Sequence, residues 1–465
     1  MGRRRVLTAL DLRPVLAESP CRASELDGLL DLPGSDAPFR LAVYGPEPWV
    51  VTGFRPRLTV SARGDRLVVR DRERGARALR ANPLFLLDEL RGLLPRARMG
   101  IPFGGGAVGY LGYGLRTFIE SVPDRRPADV PLPDLWFAIP DRFWTYPVAG
   151  GPVLAVAWIP PGASRQRCAR ELRERRGFPP TASPAGKPGP CPTPRSNLGK
   201  RNYLRAVRRI IEYIRAGDVY QVNLSQRLSI PGRIPPGEVF RRLTAINPAP
   251  HAAYFGMSEG ALVSVSPERF LSLHGDRVAT EPIKGTRRRG RTVRADRAAA
   301  RELWTSAKDA AELAMIVDLE RNDLGRVCRY GSVKVVEARR LESHPTVHHL
   351  VARVEGRLRD GVQLSELIAA TFPGGSVTGA PKIRAMEIIE ELEPTARGPY
   401  TGAIGAIGCD GRVDLSVAIR VMLFGGGRIV WPVGGGIVVD SDPDAEWEET
   451  LTKGVAQAAA LRGLP

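Results

Sequence analysis

Short apolar runs alternate with polar turns over residues 1–158 of the chain. Runs such as RLAVYG, RLVVRD and PVLAVAWI are separated by glycine, proline and aspartate, a pattern typical of antiparallel strands. Further along, apolar residues spaced three and four apart predict a helix over KRNYLRAVRRIIEYIRAGDV, and alternation predicts a strand over VYQVNLSQRLSI. The strands occur in groups with helices between the groups, so the pattern predicts an α+β fold.

Residues 159–196 interrupt this pattern. They are dense in proline, glycine and arginine, which is typical of a linker or a surface insertion. The sequence therefore predicts an N-terminal region over 1–158, built mostly from antiparallel strands, and a second region over 197–465.

Composition is that of an ordinary globular chain, with 465 residues of which 43% are hydrophobic and 25% charged. No apolar run approaches the ~18 residues that a membrane span requires. The five cysteines are scattered without the spacing of a zinc site or a disulfide framework. We therefore expect a cytoplasmic protein that does not associate with membranes.

The net charge of +18 raises the question of a nucleic-acid partner. The arginines are spread over the whole chain, aromatic residues make up only 6%, and no known nucleic-acid-binding motif is present. A solvated basic surface is therefore favoured over nucleic-acid binding. The same basic field would attract a small dianion.

Two predicted helices carry paired carboxylates. Asp309 and Glu312 in KDAAELAM, like Glu446 and Glu449 in DAEWEET, are three residues apart and lie on one helical face. Taken singly, such a pair is usually a solvated surface feature. Four carboxylates that converge from two helices repel one another unless a cation lies between them, and Mg²⁺ prefers carboxylate ligands. The pattern predicts an anionic substrate held by magnesium.

Three glycine-rich segments, at 372–382, 400–408 and 433–443, predict turns whose backbone N–H groups bind an anion. Each segment alone is explained equally well by a bulge or a hairpin. No Walker pattern accompanies them. With Lys382 and Arg420 nearby in sequence, they favour a carboxylate pocket over a triphosphate site.

The region after residue 196 resembles the chorismate-utilising enzymes, and within them component I of aminodeoxychorismate synthase, with component I of anthranilate synthase as the close relative. The resemblance rests on the ordered motifs SNLGKRNYLRAVRRIIEYIRAGDVYQVNLSQR, SPERFL, PIKGTRRRG, KDAAELAMIVDLERNDLGRV, VHHLVARVEG, FPGGSVTGAPKIRAMEIIEELEPTARGPYTGAIG and GGGIVVDSDPDAEWEET. It implies one four-layer unit of two facing antiparallel β-sheets with helices outside, which includes the N-terminal region. In that region GLLDLPG stands where relatives hold a tryptophan-binding segment.

The motif PIKGT places Lys284 where anthranilate synthases have P-I-A-G-T. The resemblance implies that the Lys284 amine attacks C2 of chorismate as the C4 hydroxyl departs, and that ammonia then adds at C4 and expels the lysine. The product is 4-amino-4-deoxychorismate, a precursor of p-aminobenzoate and folate. This step requires a neutral amine, and we expect the adjacent arginines 287–289 to disfavour the ammonium form. Glu268 in SPERF resembles the general acid that protonates the departing hydroxyl.

The resemblance also implies roles for the other site residues. Glu312 and Glu449 would contact Mg²⁺ directly, and Asp309 and Glu446 would act through waters. Contacts with the substrate are implied for His349, Ser376, Tyr400, Arg420, Gly436 and Lys453. Of these, Arg420 is the bidentate anchor of a substrate carboxylate.

Individual residues distinguish the implied activity from those of related enzymes. Isochorismate and salicylate synthases place a water-activating lysine where this chain has Gln221, which disfavours a hydroxyl nucleophile. Anthranilate synthase component I stays open as the alternative, because Lys284 alone separates the motifs. A basic nucleic-acid-binding module is a distant alternative that leaves the paired carboxylates unexplained. No G-x-C-x-G glutaminase motif is present, so we expect the chain to use free ammonia alone and glutamine only with a separate amidotransferase subunit.

Overall fold

The computed structural model of the protein describes residues 6–43, 48–174 and 193–462. Their strands form two sheets of twelve strands each, and neighbouring strands pair in the antiparallel sense, as β-strands 221–231 and 428–437 illustrate. Helices connect the strands, so the predicted α+β class is confirmed.

The first sheet combines strands from both halves of the chain. From edge to edge it runs β1 (Arg13–Glu18), β10 (Leu154–Ile159), β9 (Arg142–Pro147), β3 (Trp49–Gly53), β2 (Phe39–Val43), β13 (His251–Met257), β14 (Gly260–Ser266), β23 (Val421–Gly425), β24 (Arg428–Ile437), β12 (Gln221–Pro231) and β11 (Arg195–Ser196), with β20 (Gly379–Ala380) also paired to β12.

The second sheet is built in the same way. Its order is β17 (Ile283–Arg288), β19 (Val347–Arg357), β16 (Arg277–Glu281), β15 (Arg269–His274), β22 (Val413–Val417), β21 (Ala403–Gly408), β7 (Gly106–Leu111), β8 (Leu135–Ile139), β4 (Leu58–Arg63), β5 (Arg66–Asp71) and β6 (Gly75–Arg80), with β18 (Lys334–Ser343) also paired to β19. The N-terminal strands therefore continue both sheets, through the pairs β2–β13 and β7–β21.

The helix predicted from apolar spacing over KRNYLRAVRRIIEYIRAGDV is observed as α3 (Lys200–Arg215), one of the helices that the structure describes. These helices are α1 (Phe85–Arg91), α2 (Arg165–Glu174), α3 (Lys200–Arg215), α4 (Pro236–Ile246), α5 (Val293–Thr305), α6 (Ala307–Gly325), α7 (Leu364–Thr371), α8 (Lys382–Leu392), α9 (Pro443–Lys453) and α10 (Val455–Ala460). Short 3-10 helices cover Ala23–Asp31, Gly34–Asp36, Tyr113–Phe118 and Gly375–Val377. Among the residues described, no helix is long and apolar enough to cross a membrane.

The main core lies between the two sheets. Alternate residues of a strand point to opposite faces, and β13 shows the result. Its Phe255 belongs to the same buried cluster as Val60 and Leu271 of the second sheet. The adjacent Tyr254 points the other way and packs against Phe240 of α4, with ring centroids 5.9 Å apart. Helices thus cover the outer face of the first sheet.

Two parts of the chain differ from the sequence predictions. In the segment 159–196, residues 165–174 form the helix α2, whose buried Cys168 and Leu172 join a cluster with β1 and β10; residues 175–192 of that segment lie outside the described residues. The glycine-rich segments at 400–408 and 433–443 are not mainly turns. Their glycines lie largely in β21 and β24, where an added Cβ would meet the backbone of a paired strand, as at Gly405, or neighbouring side chains, as at Gly435 and Gly436.

Candidate functional site

The predicted site residues meet where the chain passes between the two sheets. Glu268 lies in the link from β14 to β15, and Arg420 lies in the link from β22 to β23. The links run side by side, because Val265 N donates to the Arg420 carbonyl at 3.3 Å and Val417 N donates to the Glu268 carbonyl at 2.9 Å. The fold therefore brings together two residues that are 152 positions apart in sequence, as their numbers 420 and 268 give.

Glu268 and Lys284 form the centre of the site with Ser376. Glu268 is 5% exposed, and its Oε1 accepts a hydrogen bond of 2.6 Å from the Ser376 hydroxyl. Lys284 Nζ donates to the Ser376 carbonyl at 3.5 Å. Burial raises the pKa of Glu268, although Ser376 and Lys284 oppose the shift. A carboxyl group with a raised pKa is suited to donate a proton near neutral pH.

Burial also lowers the pKa of Lys284, which favours its neutral amine, and the nearby Lys453 adds to this effect. Glu268 and Glu312 oppose the shift. The prediction that the following arginines lower this pKa is wrong. Arg287 pairs with Glu302 and Asp309 instead, because its strand runs alongside α5 and α6.

The backbone directly after Lys284 forms a β-bulge at Gly285. The pairing of β17 with β19 shifts register between Lys284 and Thr286. Gly285, at the bulge, has φ 79°, and a Cβ there would lie 2.9 Å from the Asp309 carboxylate and 2.8 Å from Leu303. The glycine of the PIKGT motif therefore lets β17 approach α6 closely.

His349 lies on β19 beside this bulge. Its Nδ1 is 2.9 Å from the Thr286 hydroxyl, and burial together with His344 and Arg420 lowers its pKa to about 4, so the ring is neutral at pH 7. The neighbouring His348 pairs with Ser343 and Asp296 and does not belong to the site.

Arg420 and Tyr400 form the opposite wall. Arg420 has a left-handed backbone, with φ 53°, and its Nη1 donates to the Lys453 carbonyl. Burial lowers the pKa of Arg420, while Tyr400 and Glu449 act against the shift. Burial raises the pKa of Tyr400 to about 12, which keeps its hydroxyl protonated as a donor.

The glycines of β24 make room between this wall and α9. A Cβ on Gly435 would lie 3.1 Å from Glu446 Oε2 and 3.5 Å from Glu449 Oε1. Lys453 Nζ is 2.6 Å from Glu449 Oε1 and donates to the Gly434 carbonyl at 2.9 Å. The strand therefore presents bare backbone to the carboxylates of α9.

The four predicted metal carboxylates are not equally free. The Asp309 carboxylate accepts from Arg287 Nη2 at 3.0 Å, and Glu446 Oε1 accepts from the Ser441 hydroxyl at 2.6 Å. Glu312 is 4.0 Å from Lys308 Nζ. Over the described ranges, no three His, Cys, Asp or Glu side chains are grouped closely enough to hold a metal ion in this conformation.

The donor set nevertheless fits a divalent cation. Burial raises the pKa values of Glu312 and Glu446, and repulsion from Glu449 contributes to both shifts. Gly435 leaves a space beside them that a methyl group would fill. Hard carboxylate oxygens with room for water match the coordination of Mg²⁺.

Two polar side chains of the site, Gln221 and Asn223, were given no part in it by the sequence analysis, and a third, Lys382, was expected in the wrong place. Gln221 is fully buried, and within the described part of the chain neither its Oε1 nor its Nε2 has a hydrogen-bond partner; the same holds for Asn223 Nδ2. Both amides face Gly436, where a Cβ would lie 2.7 Å from Gln221 Nε2 and 3.3 Å from Asn223 Oδ1. Lys382, expected near the carboxylate pocket, is instead paired with Asp323 at 2.6 Å.

Comparison with known proteins identifies the class. The family model described as chorismate binding enzyme matches residues 41–459, and the chain belongs to this family. It is 43% identical to anthranilate synthase component 1 1 of Haloarcula marismortui over 381 residues. This alignment covers 79% of this chain and 78% of that protein. It is 41% identical over 359 residues to aminodeoxychorismate synthase component 1 of Salmonella typhimurium, which covers 77% of each.

A solved structure confirms the two-sheet fold. Anthranilate synthase component I from Streptococcus pneumoniae superposes with a TM-score of 0.76 at 28% identity, over 91% of this chain and 92% of that chain. The protein is thus a chorismate-binding enzyme whose relatives divide between anthranilate synthases and aminodeoxychorismate synthases.

Gly435→Ala is expected to weaken the response to Mg²⁺ selectively. The added Cβ would stand against Glu446 and Glu449, so we expect the Mg²⁺ concentration for half-maximal chorismate turnover to rise about tenfold or more. A magnesium titration of turnover measures the shift. The matched control is Gly325→Ala, where a Cβ would meet nothing within 4 Å. An unchanged magnesium requirement in the Gly435 variant would contradict the assigned site.

Glu320→Gln is expected to stabilise the protein more at pH 8 than at pH 5. Glu320, on α6, is buried beside Thr280, Glu268, Asp323 and Lys382, and burial raises its pKa to about 8 from the usual 4.5. Between these values the folded chain holds a proton that the unfolded chain has released, so its stability falls as pH rises, by an amount on the order of a few kcal/mol.

Thermal unfolding measured at both pH values tests this. The difference in midpoint between the Gln variant and the parent should grow by roughly 2 °C or more from pH 5 to pH 8. The exposed Glu448→Gln serves as the control, and the same pH trend in both variants would refute the assignment.

Proposed function

We propose that this chain is component I of an aminodeoxychorismate synthase, which converts chorismate and ammonia to 4-amino-4-deoxychorismate. The observation that carries the proposal is the placement of Lys284. Its amine lies in the centre of the site, with a lowered pKa, and the same serine contacts both it and Glu268. Anthranilate synthases, by the motif P-I-A-G-T, have no amine at this position.

The first half-reaction joins the enzyme to its substrate. The neutral Lys284 Nζ forms a bond to C2 of chorismate, the ring double bonds shift, and the C4–O bond breaks. Glu268 donates a proton to the departing hydroxyl, which leaves as water, and its raised pKa keeps this proton available. The Ser376 hydroxyl, which donates to Glu268 Oε1, holds the carboxyl group in place.

The second half-reaction reverses the first with a different nucleophile. Ammonia forms a bond to C4, the double bonds shift back, and the C2–N bond breaks to release the neutral Lys284 amine. The ammonium group formed at C4 then gives a proton to the Glu268 carboxylate, which restores the acid for the next turnover. Gln221 carries no ionisable amine at the position where isochorismate and salicylate synthases activate water. Ammonia is therefore the expected nucleophile in place of hydroxide.

Substrate binding is assigned to the walls of the site. Arg420 and Lys453 offer positive charge to the carboxylates of chorismate, and Tyr400 offers a hydroxyl. The neutral His349 is proposed to contact the ring region, where it would add no charge. The bare backbone at Gly436 lets the substrate approach β24.

Glu312 and Glu449 would hold Mg²⁺ directly, and Glu446 would act through water. The ion would neutralise the ring carboxylate of the bound substrate. Asp309 is assigned a weaker part than the sequence pattern implied, since Arg287 pairs with it at 3.0 Å. Glu449 would have to give up its 2.6 Å pair with Lys453 to hold the ion.

A separate subunit is proposed as the source of ammonia. The relative from Salmonella typhimurium is named component 1, and a chain that lacks a glutaminase motif needs ammonia from solution or from an amidotransferase partner. A cytoplasmic location, where chorismate and such a partner would be available, stays a prediction.

Product analysis tests the proposal. The purified chain is incubated with chorismate, Mg²⁺ and ammonium, and the products are separated and identified by mass. We expect 4-amino-4-deoxychorismate without release of pyruvate. Anthranilate plus pyruvate would overturn the assignment in favour of the second candidate, an anthranilate synthase component I, which the 43% identity to the Haloarcula marismortui protein favours.

A further inference from the structure

A second cavity lies at the far end of the strands that carry the active site. It has a volume of about 880 Å³ and is bounded by the β15–β16 turn, the β21–β22 turn and the segment between α1 and β7. Glu268 and Tyr400 precede β15 and β21 at the opposite ends of these strands. Strands of five or six residues span roughly 17–20 Å, so the cavity is separate from the chorismate site.

Guanidinium groups dominate the walls of this cavity. Six arginines line it against two aspartates, Asp276 and Asp410, together with the floor residues Met99, Ile101 and Pro102. The arginines are Arg91, Arg96, Arg98, Arg277, Arg357 and Arg412. Six arginines and two aspartates leave a net charge of +4 on these side chains.

The two aspartates are already neutralised. Arg357 Nη1 lies 3.3 Å from Asp276, and Arg412 pairs with Asp410. Arg412 Nη2 also donates to the Ile101 carbonyl at 3.0 Å, which fixes the segment between α1 and β7 against the β21–β22 turn. The excess charge therefore belongs to the other four arginines.

Those four arginines have no ion pair within the described ranges 6–43, 48–174 and 193–462. Arg91 is half-buried, and its Nε has neither solvent contact nor a hydrogen-bond partner there. Burial and the nearby Arg96 lower the pKa of Arg91, and Asp88 opposes the shift. Like charges gathered around one concave surface are stabilised by a bound anion.

We propose that this cavity binds a small polyanion that carries two or more phosphate or carboxylate groups. Unpaired guanidinium groups from two separate chain segments, Arg91, Arg96 and Arg98 from the end of α1 onward and Arg277 from the β15–β16 turn, match such groups by bidentate hydrogen bonds. The apolar floor at Met99, Ile101 and Pro102 accepts the uncharged body of the ligand. The volume is that of a small-molecule site.

Calorimetric titration of the full chain with inorganic pyrophosphate, and separately with citrate, tests the proposal. We expect saturable binding of at least one of the two, and the tighter one identifies phosphate or carboxylate as the recognised group. In Arg96→Gln/Arg277→Gln the affinity for that probe should fall at least about tenfold. Both residues are exposed at the rim, so the variant should fold and turn over chorismate normally.

The control is Arg167→Gln/Arg170→Gln, which removes the same charge from the exposed face of α2. It should bind the probe as the parent does. Equal losses in both double variants, or binding of a short DNA duplex with no binding of either probe, would replace the site with a general basic surface. Absence of probe binding to the parent would also overturn the proposal, and it would leave the chorismate chemistry untouched.

Discussion

Lys284→Ala is expected to lower the rate of 4-amino-4-deoxychorismate formation on the order of 10³-fold or more, because it removes the nucleophile of the first step. The fold should survive, since among the described residues the side chain forms a single long hydrogen bond, 3.5 Å to the Ser376 carbonyl. Steady-state turnover with ammonium, followed by separation of the products, measures the loss. The Michaelis constant for chorismate should change much less than the turnover rate.

The control and the pH profile separate chemistry from structure. Lys334, exposed on β18, can be changed to alanine with no expected effect on turnover. In the parent, turnover should rise with pH as Lys284 loses its proton. The pH at the midpoint of this rise should lie below the usual range of lysine pKa values, because burial lowers the pKa of Lys284. Amination that continues undiminished in Lys284→Ala would remove the lysine from the mechanism.

Glu268→Gln carries the second largest expected effect. The change keeps the shape of the side chain and removes the proton that the departing hydroxyl needs, so we expect turnover to fall roughly 10²- to 10⁴-fold. The alkaline limb that reports loss of this proton should disappear from the pH profile of the variant. Rates measured between pH 6 and 10 provide the test.

Ser376→Ala gives the matched comparison. The serine hydrogen bond lowers the pKa of Glu268, so its removal should move the alkaline limb to higher pH while most of the turnover remains. If Glu268→Gln turned over chorismate like the parent, with the same pH profile, proton donation would have to come from another group.

Much of the fold follows from local pattern. The predicted helix KRNYLRAVRRIIEYIRAGDV is observed as α3, Lys200–Arg215, because its apolar stripe packs against β12 and β24. The alternating segment VYQVNLSQRLSI is observed as β12, Gln221–Pro231. The pairing of N-terminal strands with C-terminal strands in both sheets could not be predicted from local pattern, because the pairs β2–β13 and β7–β21 join residues that are far apart in sequence.

The sequence predicted which side-chain types take part in the site, but it did not predict which side chains pair with one another. The pairing of Arg287 with Asp309 depends on how β17 lies against α6, and the pairing of Lys382 with Asp323 depends on how α8 lies against α6. In the sequence analysis, Gln221 was considered only because it replaces a lysine that would activate water. Its buried, unpartnered amide faces Gly436 only because β12 and β24 pair in the observed register.

The most direct test is the mass of the Lys284 peptide after reaction with chorismate. The protein is mixed with chorismate and Mg²⁺ without ammonium, quenched at short times and digested for peptide mass spectrometry. The account predicts a peptide containing Lys284 that has gained the mass of chorismate less one water, and that loses this mass when ammonium is added before the quench. No added mass on Lys284 at any time, from a preparation that aminates chorismate once ammonium is supplied, would contradict it.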